Sequence, residues 1–166
     1  MGFVDYGIHD NAIFSVKWVN CAQHFLTASG DQTIKLVDAK SGSIVSVFIG
    51  HSMSVRSLAL WPENNRKIAL LSYHILVDIF ASASRDGSVR LWDSRTQNPG
   101  GVGATAYITG CHLPLHDASS RSRPKSRKSV TDAQSVTCVT FARQFDLVSA
   151  GSTDGYVFLI ISITSF

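Results

Sequence analysis

The amino-acid sequence predicts an all-β fold made by repeating a unit of short strands. Three observations predict it. Apolar residues recur at the same offsets in three stretches. Each stretch then runs into a small-residue turn ending in Asp. The first two stretches open at His9 and His51, a period of 42 residues.

In the first stretch His9 is followed at offsets of four, seven and nine by Ile13, Val16 and Trp18. In the second, His51 leads in the same way to Val55, Leu58 and Leu60, and in the third Asp132 leads to Val136, Val139 and Phe141. The turns follow: Phe25-Leu26-Thr27-Ala28-Ser29-Gly30-Asp31, then Phe80-Ala81-Ser82-Ala83-Ser84-Arg85-Asp86, then Leu147-Val148-Ser149-Ala150-Gly151-Ser152-Thr153-Asp154. Beyond the first two turns lie alternating, half-buried strands, Thr33–Asp38 and Ser88–Asp93. Asp86-Gly87 and Asp154-Gly155 are hairpin signals, read as type I′ turns because Gly supplies positive φ cheaply. Short strands, hairpins and this period match the blade of a β-propeller, about 40–45 residues and four strands.

The repeats place blade 1 at about 9–42, blade 2 at about 51–95 and an incomplete blade 3 at about 132–166, roughly three blades of a larger ring. Three interruptions stand out. Blade 2 is 13 residues longer than the others between its first position and its Asp, an anomalous insert at 66–79. Leu70–Val77 is too apolar for a surface loop, so the insert is either an extra buried element or non-native coding sequence such as a translated intron. After Gly155 the charged alternation gives way to Tyr156-Val157-Phe158-Leu159-Ile160-Ile161, as a wrong splice or a truncation would leave it. Residues 97–131, rich in Gly and Ser, read as a flexible inter-blade loop. A closed ring needs roughly 4–8 blades, so the expectation is a piece of a longer protein or a mis-spliced copy.

Composition narrows the function classes. With 45% hydrophobic and 16% charged residues the chain is neither disordered nor coiled-coil. The net charge of +3 is local: 97–131 holds five basic residues against Asp117 alone, so a global nucleic-acid footprint is absent. Three cysteines without a CxxC spacing indicate neither a disulfide framework nor a zinc finger, and a reducing compartment is expected. The N-terminus lacks a signal peptide's pattern, and no apolar run reaches the roughly 20 residues of a membrane span. A soluble intracellular chain is the expectation.

No catalytic or cofactor motif is present: there is no P-loop, GxGxxG or GxSxG. His112 and His116 beside Cys111 have a metal-compatible spacing, but Pro114 between them makes incidental loop residues the better reading. No metal, cofactor or catalytic residue is therefore expected. The basic run Arg121, Arg123, Lys125, Arg127 and Lys128 fits a solvated loop, a nuclear localisation signal, or a phosphate-contacting or phosphorylated segment.

Gly50-His51 opening a repeat and Leu91-Trp92-Asp93 closing one resemble the GH…WD signature of WD-repeat β-propellers. The resemblance implies that His51, Ser82, Asp86 and Trp92 form a hydrogen-bonded chain pinning blade 2. His9, Thr27 and Asp31 would form a shorter one in blade 1, where Val37 replaces Trp. Such a set mimics a hydrolytic triad, but mutual pairing of buried polar groups accounts for it. Trp92-Asp93-Ser94-Arg95 further resembles the WDxR element of cullin-4 ligase substrate receptors. His9–Phe14, Thr27–Thr33, Ser84–Gly87, Gln134–Thr137 and Leu147–Gly151 resemble the denticleless family. That family implies a non-catalytic, nuclear substrate-recognition subunit of a cullin-4 RING ubiquitin ligase. It would direct ubiquitination of replication-licensing and cell-cycle proteins bound to the DNA sliding clamp. Asp86, Trp92, Asp93 and Arg95 would meet the ligase's adaptor propeller. No membrane partner and no sequence-specific nucleic-acid binding are implied. The other reading is a generic WD-repeat interaction scaffold unrelated to ubiquitin ligases.

Overall fold

The computed structural model describes residues 5–19, 22–61, 79–94, 106–108, 135–142 and 147–161. They form eleven strands in three antiparallel sheets. Blade 1 comprises β1 (Ile13–Val19), β2 (His24–Ser29), β3 (Thr33–Asp38) and β4 (Ile44–Ile49), hydrogen-bonded in that order. Blade 2 comprises β5 (Val55–Leu60), β6 (Ile79–Ser84), β7 (Val89–Asp93) and β8 (Ala106–Ile108) in the same order. Blade 3 has β9 (Val136–Phe141), β10 (Leu147–Ser152) and β11 (Val157–Ile161), with β10 central.

The sheets stack through their first strands. β1 and β2 pack on β5, and β5 and β6 pack on β9. One core joins Leu26, Ile34, Leu36 and Phe48 of blade 1 to Val55, Leu58, Phe80 and Trp92 of blade 2. The Phe48 ring meets Phe80 edge-on with centroids 4.9 Å apart, and Trp92 at 5.7 Å. A second core joins Ala81, Ala83, Val89 and Leu91 to Val136, Val139, Val148 and Ala150 of blade 3. β2, β6 and β7 are covered over most of their length, which explains why their sequences are small and apolar instead of strictly alternating.

The registers match between blades. Trp18 pairs with Phe25 and Val16 with Thr27, just as Leu60 pairs with Phe80 and Leu58 with Ser82. The blade 2 surplus leaves this pairing undisturbed: the Trp61 N–H donates to the Ile79 carbonyl at 3.1 Å. Of the expected insert, Ile79 is the first residue of β6, and residues 66–78 lie outside the described residues. Each first strand carries a bulge at the same register, at Phe14, Arg56 and Thr137. The Arg56 guanidinium sits 4.1 Å from the centre of the Phe14 ring and so links blades 1 and 2.

Three expectations are corrected, and one further strand is found. The first sheet does not end near residue 42, because β4 joins it on β3 at 44–49. The 97–131 stretch is not loop throughout: Ala106–Ile108 pairs with β7, whose outer backbone groups need partners. The apolar run after Gly155 keeps the strand, pairing Ile160 with Val148 as Trp92 pairs with Phe80, because Val, Phe, Leu and Ile are strong strand formers. The hairpin turns are not type I′, which needs two residues at positive φ. Only Gly87 and Gly155 have it, at 80° and 90°, and Gly87 N–H bonds Ser84 C=O while Ser84 N–H bonds Ser88 C=O. That is a three-residue loop: a turn followed by one left-handed residue. In blade 1 the left-handed position is Gln32, at 73°.

Candidate functional site

The loop before each first strand and the turn between the second and third strands lie at the same end of a blade. In blade 2 this brings His51 to Asp86 and Ser82. His51 Nδ1 is 2.9 Å from Asp86 Oδ2, and Nε2 is 2.7 Å from Ser82 Oγ. Trp92 Nε1 is 2.8 Å from the same oxygen. An indole nitrogen only donates, so the Ser82 oxygen accepts from Trp92 and its one proton goes to His51 Nε2. Nδ1 then carries the ring proton and gives it to the Asp86 carboxylate. The chain Trp92, Ser82, His51, Asp86 is thus satisfied at every step.

Asp86 is tied further. Its Oδ1 accepts the Ser88 backbone N–H at 2.9 Å and the Ser88 hydroxyl at 2.6 Å, and Oδ2 accepts the Ser52 N–H at 3.0 Å. Burial alone pushes its carboxyl up, but the hydrogen bonds from His51 and Ser88 outweigh burial and hold it well below the ordinary 3.8. The Ser84 hydroxyl accepts the Asp86 N–H and shares its single proton between the loop carbonyls of Met53 and Ser54. Gly50 packs closely beside this set: a Cβ there would lie 3.3 Å from the Trp92 ring and would displace the Arg90 guanidinium end, 2.7 Å away.

Blade 1 builds the same set with one member fewer. His9 Nδ1 is 2.7 Å from Asp31 Oδ2 and Nε2 is 2.8 Å from Thr27 Oγ1. With Val37 in place of an indole, Thr27 Oγ1 also lies 3.3 Å from the Lys35 carbonyl, so two acceptors compete for its single proton. Asp31 accepts the Thr33 N–H and hydroxyl, at 3.0 and 2.7 Å. Burial raises its carboxyl, and the bonds from Thr33 and His9 bring it down to about 2.

Ser29, Ser84, Thr33 and Ser88 complete these networks, and sequence reading passed them over. The signal was there: each sits two residues before or after the turn Asp. Ser152 repeats the first of these positions in blade 3, where its hydroxyl donates to the Ser135 carbonyl.

The set does not present a nucleophile. Ser82 is fully buried, with its hydroxyl committed on both sides, whereas covalent catalysis needs an accessible oxygen. Among the described residues no cluster of three or more His, Cys, Asp or Glu could hold a metal ion.

The expected adaptor-contact group is divided by the structure. Asp86 precedes β7 and Asp93 ends it, roughly 20 Å apart along an extended strand. Trp92 lies beside Asp93 at the far end of β7 but is buried, and the Asp86 side chain is engaged in the blade network at the near end. Asp93 is partly buried and Arg95 lies outside the described residues, as do Arg121, Arg123, Lys125, Arg127 and Lys128. In blade 1 the residue equivalent to Asp93 is Asp38, whose Oδ1 caps the β3–β4 turn through the N–H groups of Lys40 and Ser41.

A sequence profile of the family described as WD domain, G-beta repeat, matches residues 5–38 and 42–93. The chain belongs to the WD-repeat family. Within it, the sequence is 34% identical over 162 residues to the Xenopus tropicalis denticleless protein homolog, covering 92% of this chain and 21% of that protein. It is 32% identical to the human denticleless protein homolog, covering 93% and 20%, and 26% identical to the Drosophila melanogaster protein lethal(2)denticleless, covering 90% and 19%. The chain thus spans about a fifth of the length of these relatives. The crystal structure of the WD40 β-propeller domain of Doa1 superposes with a TM-score of 0.64 over 96% of this WD-repeat chain and 40% of that one. At 23% identity it speaks for the fold alone.

Proposed function

We propose that this WD-repeat chain serves as part of a non-catalytic substrate-recognition subunit of a cullin-4 RING ubiquitin ligase. The observation that carries the reading is the similarity to denticleless homologues over more than nine-tenths of the chain. Catalysis belongs to other subunits, and this one supplies proximity between substrate and ligase. Its substrates are replication-licensing and cell-cycle proteins held on the DNA sliding clamp, and its compartment is the nucleus, with Arg121–Lys128 as the import signal.

Asp93 and Arg95 at the exit of β7 form the adaptor contact in this reading. Arg suits the role because its planar guanidinium makes several oriented hydrogen bonds at an interface. Arg95→Ala is expected to leave the far-ultraviolet β signature unchanged and to weaken binding to the cullin adaptor at least tenfold. Unchanged adaptor binding by the folded variant removes the ligase reading and leaves a general WD-repeat scaffold.

A further inference from the structure

Blade 2 has a sheet against each face, so what its loops present does not depend on an open end of the stack. At the end that carries His51 and Asp86, two of its arginines flank one paired position. Val55 is opposite Ser84; Arg56 follows Val55 at the β5 bulge, and Arg85 follows Ser84 in the turn. Arg85 is exposed and Arg56 partly buried. Neither guanidinium has a carboxylate partner: among the described residues the ion pairs all join histidine to aspartate. Asp86 and Asp31 are committed to the histidine networks, and the exposed Asp10, before β1, pairs with neither arginine.

Two apolar side chains accompany them. The Phe14 ring, 41% exposed, is turned to blade 2 and lies 4.1 Å from the Arg56 guanidinium, and Met53, 38% exposed, precedes β5. The loop and turn of blade 2 that carry this group are pinned. The Arg85 N–H donates to the Ser54 carbonyl at 2.9 Å, the Ser84 hydroxyl shares its proton between the Met53 and Ser54 carbonyls, and Asp86 accepts the Ser52 N–H. A guanidinium stacked on a ring keeps its N–H edge for the two oxygens of a carboxylate. A fixed cationic pair bordered by exposed apolar groups is pre-organised for a ligand that is acidic and apolar at once.

We propose that Phe14, Met53, Arg56 and Arg85 dock a peptide segment of a partner protein in which an acidic residue stands beside a bulky apolar one. The guanidiniums take the carboxylate, and the apolar side chain covers Phe14 and Met53. Charge complementarity selects this occupant. Two cations with exposed apolar area suit such a peptide better than nucleic acid, whose affinity comes from many phosphate contacts. The site stands on either reading of the chain, ligase receptor or general scaffold, because both act by holding other proteins.

Selection of phage-displayed random peptides on the 166-residue chain tests this. Enrichment of peptides with Asp or Glu adjacent to Phe, Leu or Met is expected. A selected peptide carrying a fluorescent label should bind about tenfold more weakly to Arg85→Gln, and also to Arg56→Lys, which keeps the charge but loses the planar fork. Arg85→Glu should shift the selection towards basic peptides. These positions lie outside the core, so each variant should keep the wild-type far-ultraviolet β signature. The proposal is overturned if the wild type enriches no acidic-apolar motif, or if the folded variants bind the selected peptide as the wild type does. Displacement of the peptide by a single-stranded oligonucleotide also overturns it, since the patch would then be a phosphate site.

Discussion

Blades 1 and 2 share strand order, register and turn geometry, yet they are held with unequal security. In blade 2 the histidine chain ends on a buried indole, which donates to Ser82 while Ser82 pairs with His51. In blade 1 Val37 occupies the indole's place, Thr27 chooses between His9 and the Lys35 carbonyl, and Gln32 is forced into a left-handed conformation that Gly87 takes without strain. Blade 2 is also covered on both faces by neighbouring sheets, whereas blade 1 has one open face. The buried network is thus fully paired where the packing around it is complete.

The sharpest way to break this difference is to remove the indole. Trp92→Ala deletes both a fully buried ring packed on Phe48 and Phe80 and the donor to Ser82. A loss of about 3–5 kcal/mol is expected in chemical denaturation, from the cavity and the lost hydrogen bond to Ser82 together.

Acid comes next. Asp86 and Asp31 both titrate below the ordinary 3.8 in the folded state, so each contributes stability that is full above that value and is lost as pH falls through its folded one. For Asp31 the window runs from about 4 down to about 2. Melting temperatures across that range should fall for the wild type and fall less for Asp31→Asn and Asp86→Asn. The flattening should extend to lower pH for Asp86→Asn.

The smallest effect tests the turn. Gln32→Gly relieves a left-handed Gln and is expected to stabilise blade 1 by about 1 kcal/mol, read as a raised denaturation midpoint. Gly87→Gln should cost a similar amount.

Much of this was legible in the residues. Offsets of four, seven and nine located the first strands and half of each interface. The resemblance to WD repeats located the His, Ser or Thr, and Asp networks, and the need of buried polar groups for partners explains why these residues meet. The rest escaped for physical reasons. β8 has three residues, too few to show alternation, and is an edge strand fixed by β7. The Asp-Gly pairs signalled positive φ at one residue but not the loop length, which follows from the Asp86 carboxylate binding Ser88 two residues on. The separation of Asp86 from Asp93 by the full length of β7 needed the sheet, since in sequence they are only seven residues apart.

The structural role of the His51 set is tested most directly by amide hydrogen exchange on His51→Ala. Faster exchange in 79–84 and 89–93, with 24–29 and 33–38 much less affected, is expected from removing the acceptor of the Ser82 hydroxyl and the His51 donor to Asp86. A variant whose blade 2 protection matches the wild type would contradict a structural role for His51.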